Sequence, residues 1–131
     1  ILKGAPQTYF LTTYFANKLG LEPTVESVSV PNIEPFGEQN CEDMMRKLGR
    51  GVYITGFNGG NCNGATGDFS FGIEGYLFEN GEISHPIKEM NMTGNIVSLG
   101  NKATDIGNDY RECSRWRIPS LAFEEVDLSG I

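Results

Sequence analysis

The sequence is poor in the residues that most often build metal and nucleophile sites. It contains a single histidine, His85, and three dispersed cysteines, Cys41, Cys62 and Cys113, with no C-x-x-C pair. Zinc sites need several ligands at close spacing, and Ser or Cys triads need a histidine base. Neither an H-E-x-x-H pattern nor a G-x-S-x-G pattern occurs. The sequence therefore predicts no catalytic residue and no metal site in this chain, and its cysteine use favours a reducing, cytoplasmic compartment.

Basic residues and long apolar runs are also scarce. The chain has 10 Lys and Arg against 17 Asp and Glu, a formal net charge of −7. Nucleic-acid binding requires clustered basic residues, so direct contact with nucleic acid is not expected. Apolar runs such as residues 9–11 are far shorter than the ~20 residues that span a bilayer, so no membrane contact is expected either. Because residue 1 is Ile and no signal-like segment precedes it, we expect a fragment or processed product that lacks an N-terminal part.

What is present is enough for one domain over residues 1–131. Its 39% apolar and 11% aromatic residues can form a real core. Apolar and aromatic residues over 7–19 predict a first helix. The prolines that follow, Pro23, Pro31 and Pro35, confine any strand there to a sheet edge. We therefore interpret residues 1–37 as a helix followed by an extended connecting arm.

A second helix is predicted after residue 40. Asn40 can cap its first turn, and Met44, Met45 and Leu48 form an apolar stripe that ends at Gly49. A third, weaker helix is predicted over residues 95–106.

Residues from 51 onward follow the period-two pattern of strands. Strands are predicted over residues 52–55 and 69–77, and Asn80-Gly81 predicts a two-residue hairpin turn with residues 82–89 returning antiparallel. Residues 121–128 predict one closing strand with a bulge at Glu124-Glu125. The expected fold class is α+β: a predominantly antiparallel β-sheet with two or three short helices.

Residues 56–68 are unusual because they place five glycines and three asparagines between two predicted strands. One interpretation is a wide connection filled with Asx turns. The other is a loop, Asn58 to Gly67, that grips an extended peptide backbone and contacts a partner. For the second interpretation, the candidate substrate-binding residues are Gly59, Gly60, Asn61, Asn63 and Thr66.

The same region carries a resemblance to a known family. The run GVYITGFNGGNCNGATGDFSFGIEGYLFENGEISHPIKEMNMTGN, residues 51–95, resembles the C-terminal domain of the TldD/PmbA family, whose members are also called candidate modulators of DNA gyrase. ILKG at residues 1–4, ANKLGLEPT at 16–24, IGND at 106–109 and WRIPSLAFEEVDLSG at 116–130 extend the similarity over nearly the whole chain.

The resemblance implies a subunit of a two-component cytoplasmic zinc metallopeptidase that acts on peptides or unfolded polypeptides. TldD-type chains of the family carry an HExxxH zinc helix and a cysteine ligand, whereas PmbA-type chains, also called TldE, lack the zinc motif and pair with them. NCNGATGDFSFG and ENGEISHPIKEMNMTGN resemble the PmbA type more closely, and the ligand role is not transferred to Cys113. The resemblance thus implies a non-catalytic subunit without its own cofactor, with zinc in a TldD-type partner.

The implied partners are a TldD-type subunit or a second copy of this chain, together with a peptide substrate. Two alternatives stay open. The chain could be part of a catalytic metallopeptidase whose zinc motif lies upstream of residue 1, or it could belong to a regulatory protein linked to DNA gyrase.

Overall fold

The structure is a computed structural model, and it describes residues 5, 7–27, 29–34, 37–112 and 115–130. Pro35 and Cys113, named above, lie outside the described residues, as does the ILKG segment. The described elements are α1 (Thr13–Leu19), α2 (Cys41–Leu48), β1 (Arg50–Cys62), β2 (Asp68–Glu79), β3 (Glu82–Pro86), β4 (Met90–Asn95), α3 (Ile96–Asn101), β5 (Ala103–Ile106), β6 (Leu121–Phe123) and β7 (Asp127–Ser129). The predicted α+β class is confirmed.

One antiparallel sheet dominates the described fold. Its strand order is β1-β2-β4-β7, and β3 pairs with the end of β2 that β4 does not reach. β5 and β6 form a separate two-stranded sheet. The long strand β2 is therefore central, with β1 along one edge and both β3 and β4 along the other.

The predicted hairpin at Asn80-Gly81 is confirmed. Glu79 pairs with Glu82, and the two turn residues have φ values of 53° and 79°. Asn and Gly tolerate this left-handed conformation, which matches the twist of the two strands that the turn joins. The return strand is shorter than predicted, because β3 ends at Pro86.

The second helix is also confirmed. Asn40 accepts a hydrogen bond from the Asp43 amide, the Asp43 side chain accepts one from the Asn40 amide, and Gly49 ends the helix with φ 76°. This reciprocal capping box satisfies two backbone donors that would otherwise have no partner within the helix. Met44 and Met45 are buried, as the apolar stripe predicts.

The first helix is shorter than predicted. It begins at Thr13 rather than near residue 7, because Thr12 caps it and the preceding backbone pairs elsewhere: the Leu11 amide donates to Thr24 Oγ1 at 3.0 Å. Gly20, with φ 67°, ends the helix. No helix or strand is assigned to the described residues of 23–37. The Arg117 amide donates to the carbonyl of Pro31 and the Ile33 amide donates to the carbonyl of Arg117, so this segment lies beside residue 117.

Two predictions near the C-terminal end were wrong. The helix predicted over residues 95–106 ends at Asn101, and its second part is strand β5. The single closing strand is two strands in different sheets, β6 pairing with β5 and β7 pairing with β4. Glu125, between them, has φ 51°, so the backbone turns where a bulge had been predicted. Strand β4 was not predicted at all, because its Gly and Asn residues give it little strand character.

The core lies on one face of the main sheet. Phe69, Ile73 and Met92 form its buried centre, and partly buried side chains from β1, α3 and β7, including Val52, Leu99 and Leu128, pack around them. Phe78 is buried near the other end of β2, where its ring lies against Gly51. Residues 57–66, at the far end of the β1–β2 hairpin, are exposed, although Cys62 pairs with the buried Phe69.

Candidate functional site

The Gly/Asn-rich segment is mostly strand rather than loop. β1 continues to Cys62, with Asn58 opposite Gly72 and Asn61 opposite Ser70. The predicted loop over residues 56–68 is therefore wrong for residues 56–62, and only 63–67 connect the strands. The sequence misleads here because glycine is rare in regular strands, whereas it is common at bulges.

A bulge lies within the candidate residues. The β1–β2 register shifts between Asn58 and Asn61, so Gly59 and Gly60 are inserted without partners on β2. Both have positive φ, 65° and 94°, and a Cβ atom on Gly60 would lie 2.2 Å from the Ser70 carbonyl oxygen. Glycine at position 60 is thus required by the close approach of β2, whether or not a ligand binds.

The five-residue connection is an Asx turn. Asn63 Oδ1 accepts hydrogen bonds from the amides of Ala65 at 2.9 Å and Thr66 at 3.3 Å. The Thr66 hydroxyl donates to Asp68 Oδ2 at 2.8 Å and accepts from the Asp68 amide. The side chains of Asn63 and Thr66 therefore satisfy the turn itself, as the first interpretation of this segment expects.

Asn95 joins this turn to the next part of the chain. Its Nδ2 donates to the Thr66 carbonyl at 2.8 Å and to Asp68 Oδ1 at 2.9 Å, while its Oδ1 accepts from the Val97 amide and caps α3. The hydrogen bond from Asn95, followed by that from Thr66, lowers the pKa of Asp68 below its ordinary value. The turn is therefore held in one conformation rather than left open.

Asn61 differs from the other candidates. Its side chain is exposed, and no hydrogen bond joins it to any other described residue. Its amide group therefore has two donors and one acceptor available to a ligand. The structure brings the five candidates to one end of the hairpin. Asn63 and Thr66 hold the turn, Gly59 and Gly60 form the bulge, and the side chain of Asn61 is available to a ligand.

A second polar cluster was not identified from the sequence. Asp109 Oδ2 accepts from the Cys41 amide at 3.0 Å and from Ser120 Oγ at 2.8 Å, and Oδ1 accepts from the Ser120 amide at 2.8 Å. Burial would raise the pKa of Asp109, but the hydrogen bonds from Ser120 and Cys41 together lower it. Nearby, burial and then the Cys41 thiol raise the pKa of Tyr53. The only sequence signal for this cluster is the IGND run at residues 106–109. Through Asp109, the cluster joins the start of α2 to residue 120.

The described residues do not fit a zinc ion. Within residues 5, 7–27, 29–34, 37–112 and 115–130, no three His, Cys, Asp or Glu side chains converge to hold a metal. His85 is exposed on β3, with its ring Nδ1 3.1 Å from Ser84 Oγ, and Cys41 and Cys62 are free thiols. The longest described helix, α2, has eight residues, and none has the length and apolarity needed to cross a membrane.

The fold and the sequence around this hairpin define a domain of a metallopeptidase family. The family model described as "PmbA/TldA metallopeptidase C-terminal domain" matches residues 1–130. The chain belongs to the PmbA/TldD family and corresponds to its C-terminal domain.

Individual relatives agree with this assignment. The chain is 31% identical to the metalloprotease PmbA of Escherichia coli O157:H7, over 99% of this chain and 29% of that protein. A solved structure from Bacteroides thetaiotaomicron, described as a candidate modulator of DNA gyrase, has a TM-score of 0.86 and 50% identity, over 95% of this chain and 28% of that one. TldE from Thermococcus kodakarensis has a TM-score of 0.77 over 97% of this chain and 32% of that one; at 22% identity it shows the fold alone. The chain thus spans less than one third of the length of these relatives.

Proposed function

We propose that this chain is part of a non-catalytic, PmbA/TldE-type subunit of a two-component zinc metallopeptidase that acts on peptides or unfolded polypeptides in the cytoplasm. One observation carries the proposal: the chain belongs to a metallopeptidase family, and its NCNGATGDFSFG and ENGEISHPIKEMNMTGN runs resemble the PmbA type, whose name the 31% identical Escherichia coli relative also carries. In this proposal the zinc is held by a TldD-type partner, where it would polarise the scissile carbonyl and activate water. This chain would then contribute to partner binding and to holding the peptide.

The end of the β1–β2 hairpin is the proposed peptide contact. An extended peptide presents backbone N–H and C=O groups, which an amide side chain can bind whatever the peptide sequence. Asn61 is the candidate with an uncommitted amide, and Gly59, two residues before it, has open space where a side chain would lie. Asn63 and Thr66 would support this contact through the turn rather than by touching the peptide.

Single alanine substitutions in the intact protein separate these roles. We expect Asn61→Ala to raise KM for cleavage of a labelled unstructured peptide by the complex with a TldD-type chain about fivefold, since about 1 kcal/mol is lost with one hydrogen bond. Its urea unfolding midpoint should not change. Asn101→Ala, at an exposed asparagine on α3, is the matched control and should change neither quantity.

Two results would contradict the proposal. Peptide cleavage by the intact protein with zinc but without any partner would favour the alternative of a catalytic chain with its own zinc motif. An unchanged KM in a folded Asn61→Ala complex would exclude the peptide contact at the hairpin. The subunit role would then be decided by the assay without a partner.

A regulator linked to DNA gyrase is the second candidate, because the Bacteroides thetaiotaomicron relative carries that description. The net charge of −7 disfavours direct contact with DNA, so such a role would act through the gyrase protein. A supercoiling assay with purified gyrase decides between them: our proposal expects no change in rate when the intact protein is added, whereas a saturable change would support the regulator.

A further inference from the structure

Three asparagines of the chain are followed directly by glycine, at positions 58, 63 and 80. In an Asn-Gly sequence the amide nitrogen of the glycine can attack the side-chain carbonyl carbon of the asparagine, because glycine has no Cβ to hinder the approach. A five-membered succinimide ring forms and ammonia leaves. The local sequence is the same at all three sites, but the structure gives each of them different surroundings.

This cyclisation makes three demands on the local structure. The glycine amide has to be available as the nucleophile, the side-chain oxygen has to be stabilised as it gains negative charge, and the side-chain nitrogen has to be able to leave. A hydrogen bond donated by the amide or by the departing nitrogen opposes the reaction. A hydrogen bond to the oxygen favours it, because that bond strengthens as charge develops.

Asn63 meets all three demands. Its Oδ1 accepts hydrogen bonds from the amides of Ala65 at 2.9 Å and Thr66 at 3.3 Å. Neither the Gly64 amide nor Asn63 Nδ2 donates a hydrogen bond to any other described residue. Asn63 and Gly64 are both exposed, so water can reach the reacting atoms. The turn therefore offers the oxyanion two donors and leaves the nucleophile and the leaving group unbonded.

At Asn80 the nucleophile is already engaged. The Gly81 amide donates to the Gly49 carbonyl at 3.1 Å, and Gly81 is buried. A Cβ atom at position 81 would lie 2.8 Å from Arg46 Cα, so the glycine is closely packed. The hairpin turn therefore holds this amide away from the reaction.

At Asn58 the leaving group is engaged. Asn58 Nδ2 donates to Glu74 Oε1 at 2.8 Å, and the residue pairs with Gly72 in the β1–β2 ladder. Its side chain lies against β2, since Asn58 Oδ1 is 2.3 Å from where a Cβ of Gly72 would be. Both the carboxylate and the strand pairing oppose the rotation that brings the Gly59 nitrogen to the side chain.

We propose that Asn63 is a site of spontaneous deamidation in the folded protein and that it reacts ahead of Asn58 and Asn80. The Gly64 nitrogen bonds to Asn63 Cγ and gives its proton to a solvent base. The bond from Cγ to Nδ2 breaks, and the nitrogen takes up a proton and leaves as ammonia. Water then opens the ring at either carbonyl, which produces aspartate or isoaspartate and adds one negative charge to the turn. This chemistry goes beyond the proposed function and does not depend on it.

Peptide mapping of the intact protein tests the site directly. Trypsin releases residues 51–88 as one peptide, because the only Lys or Arg in that range is at its end, so fragmentation compares all three sites in one molecule. After incubation of the folded protein at mildly alkaline pH, we expect Asn63 to convert at least about tenfold faster than the other two asparagines. In urea-unfolded protein the three rates should differ by less than about threefold, since only the local sequence then matters.

Gly64→Ala separates the chemistry from the conformation of the turn. A Cβ atom at position 64 meets nothing within 4 Å, so the hydrogen bonds of the turn should persist, which the unchanged urea unfolding midpoint verifies. The methyl group hinders attack by the amide nitrogen, so conversion of Asn63 should slow at least about tenfold. Gly100→Ala, at a glycine of α3 that also has open space around it, is the matched control and should change none of the three rates.

Three results would overturn the site. They are conversion of Asn63 that is no faster than that of the other two asparagines in the folded protein, a preference for Asn63 that persists undiminished in urea, and conversion that Gly64→Ala does not slow. Each of these measurements is made without zinc, partner or peptide substrate, so failure of this proposal is read independently of the proposed function.

Discussion

At the residue scale, the glycine at position 60 has two possible explanations, a ligand that approaches closely and a neighbouring strand that does. A glycine in an Asn-rich segment is typical of a loop that approaches a ligand closely. The structure instead places the backbone of β2 against it, with the Ser70 carbonyl oxygen 2.2 Å from where a Cβ would be. The conformation of the bulge thus accounts for this glycine, and any ligand contact at position 60 comes through its backbone.

Substitution of two glycines with alanine tests this explanation. Gly60→Ala should lower the free energy of unfolding by about 3 kcal/mol, since the methyl group meets the β2 backbone at a positive φ. Gly64→Ala, in the turn, meets nothing within 4 Å and should change it by less than about 0.5 kcal/mol. Urea unfolding followed by circular dichroism measures both. Equal effects at the two positions would show that the bulge does not require glycine.

Asp109 is the residue for which stability should depend on pH. Its hydrogen bonds lower its pKa in the folded state, so the stabilisation is present above the unfolded pKa of about 3.9 and is lost as pH falls through the folded value. Asp109→Asn should reduce the free energy of unfolding by about 1 kcal/mol at pH 7, a modest figure because the residue is exposed to solvent.

The difference between wild type and Asp109→Asn should then shrink below about pH 4, as the wild-type carboxylate is protonated. Urea titrations from pH 7 downward measure it. Asp127→Asn, at an exposed carboxylate on β7, is the control for the loss of one negative charge and should leave the free energy of unfolding at pH 7 within about 0.5 kcal/mol of wild type. A difference for Asp109→Asn that stays constant down to acidic pH would assign its effect to packing instead of charge.

At the scale of elements, Asn95 joins parts of the fold that the sequence separates. It ends β4, caps α3 and binds both the Thr66 carbonyl and the Asp68 carboxylate. The Ile96 amide also donates to the Gly67 carbonyl at 2.9 Å. The turn after β1 and the start of α3 should therefore lose order together when this side chain is removed.

Asn95→Ala tests the coupling of these elements. We expect a loss of about 2 kcal/mol in the free energy of unfolding, from one helix cap and two further hydrogen bonds. Hydrogen exchange should show faster exchange of the Ile96 and Val97 amides and of the Gly67 amide in the turn. Asn101→Ala should leave all three amides protected. Faster exchange in α3 alone would mean that the turn is held without Asn95.

The elements that the sequence predicts well are those with local signals. The hairpin has its turn dipeptide and period-two alternation, and α2 has a cap, an apolar stripe and a terminal glycine, so each element is specified within about ten residues. β6 and β7 lack such signals, because residues 121–128 read as one alternating strand. Their separation into two sheets depends on pairing with β5 and β4, which lie elsewhere in the sequence.

For the whole molecule, metal content tests whether this domain holds zinc by itself. We expect the purified 131-residue chain to hold well below one zinc per chain, since one histidine and three dispersed cysteines supply too few closely spaced ligands for a tetrahedral site. Elemental analysis after dialysis against zinc measures this, with an established zinc protein as the positive control. About one tightly held zinc per chain would contradict the proposal and favour a catalytic chain.

The sequence by itself determined the α+β class, the hairpin, α2 and the family, because local turn and capping chemistry and a long matching run are properties of contiguous residues. Only the tertiary structure decided that residues 56–62 are strand, that Asn63 and Thr66 serve the turn, that Asp109 binds the start of α2, and that the aromatic residues of the first helix are exposed. Each of these depends on which distant segment lies opposite, and strand pairing and burial are set by contacts between residues that the sequence keeps far apart.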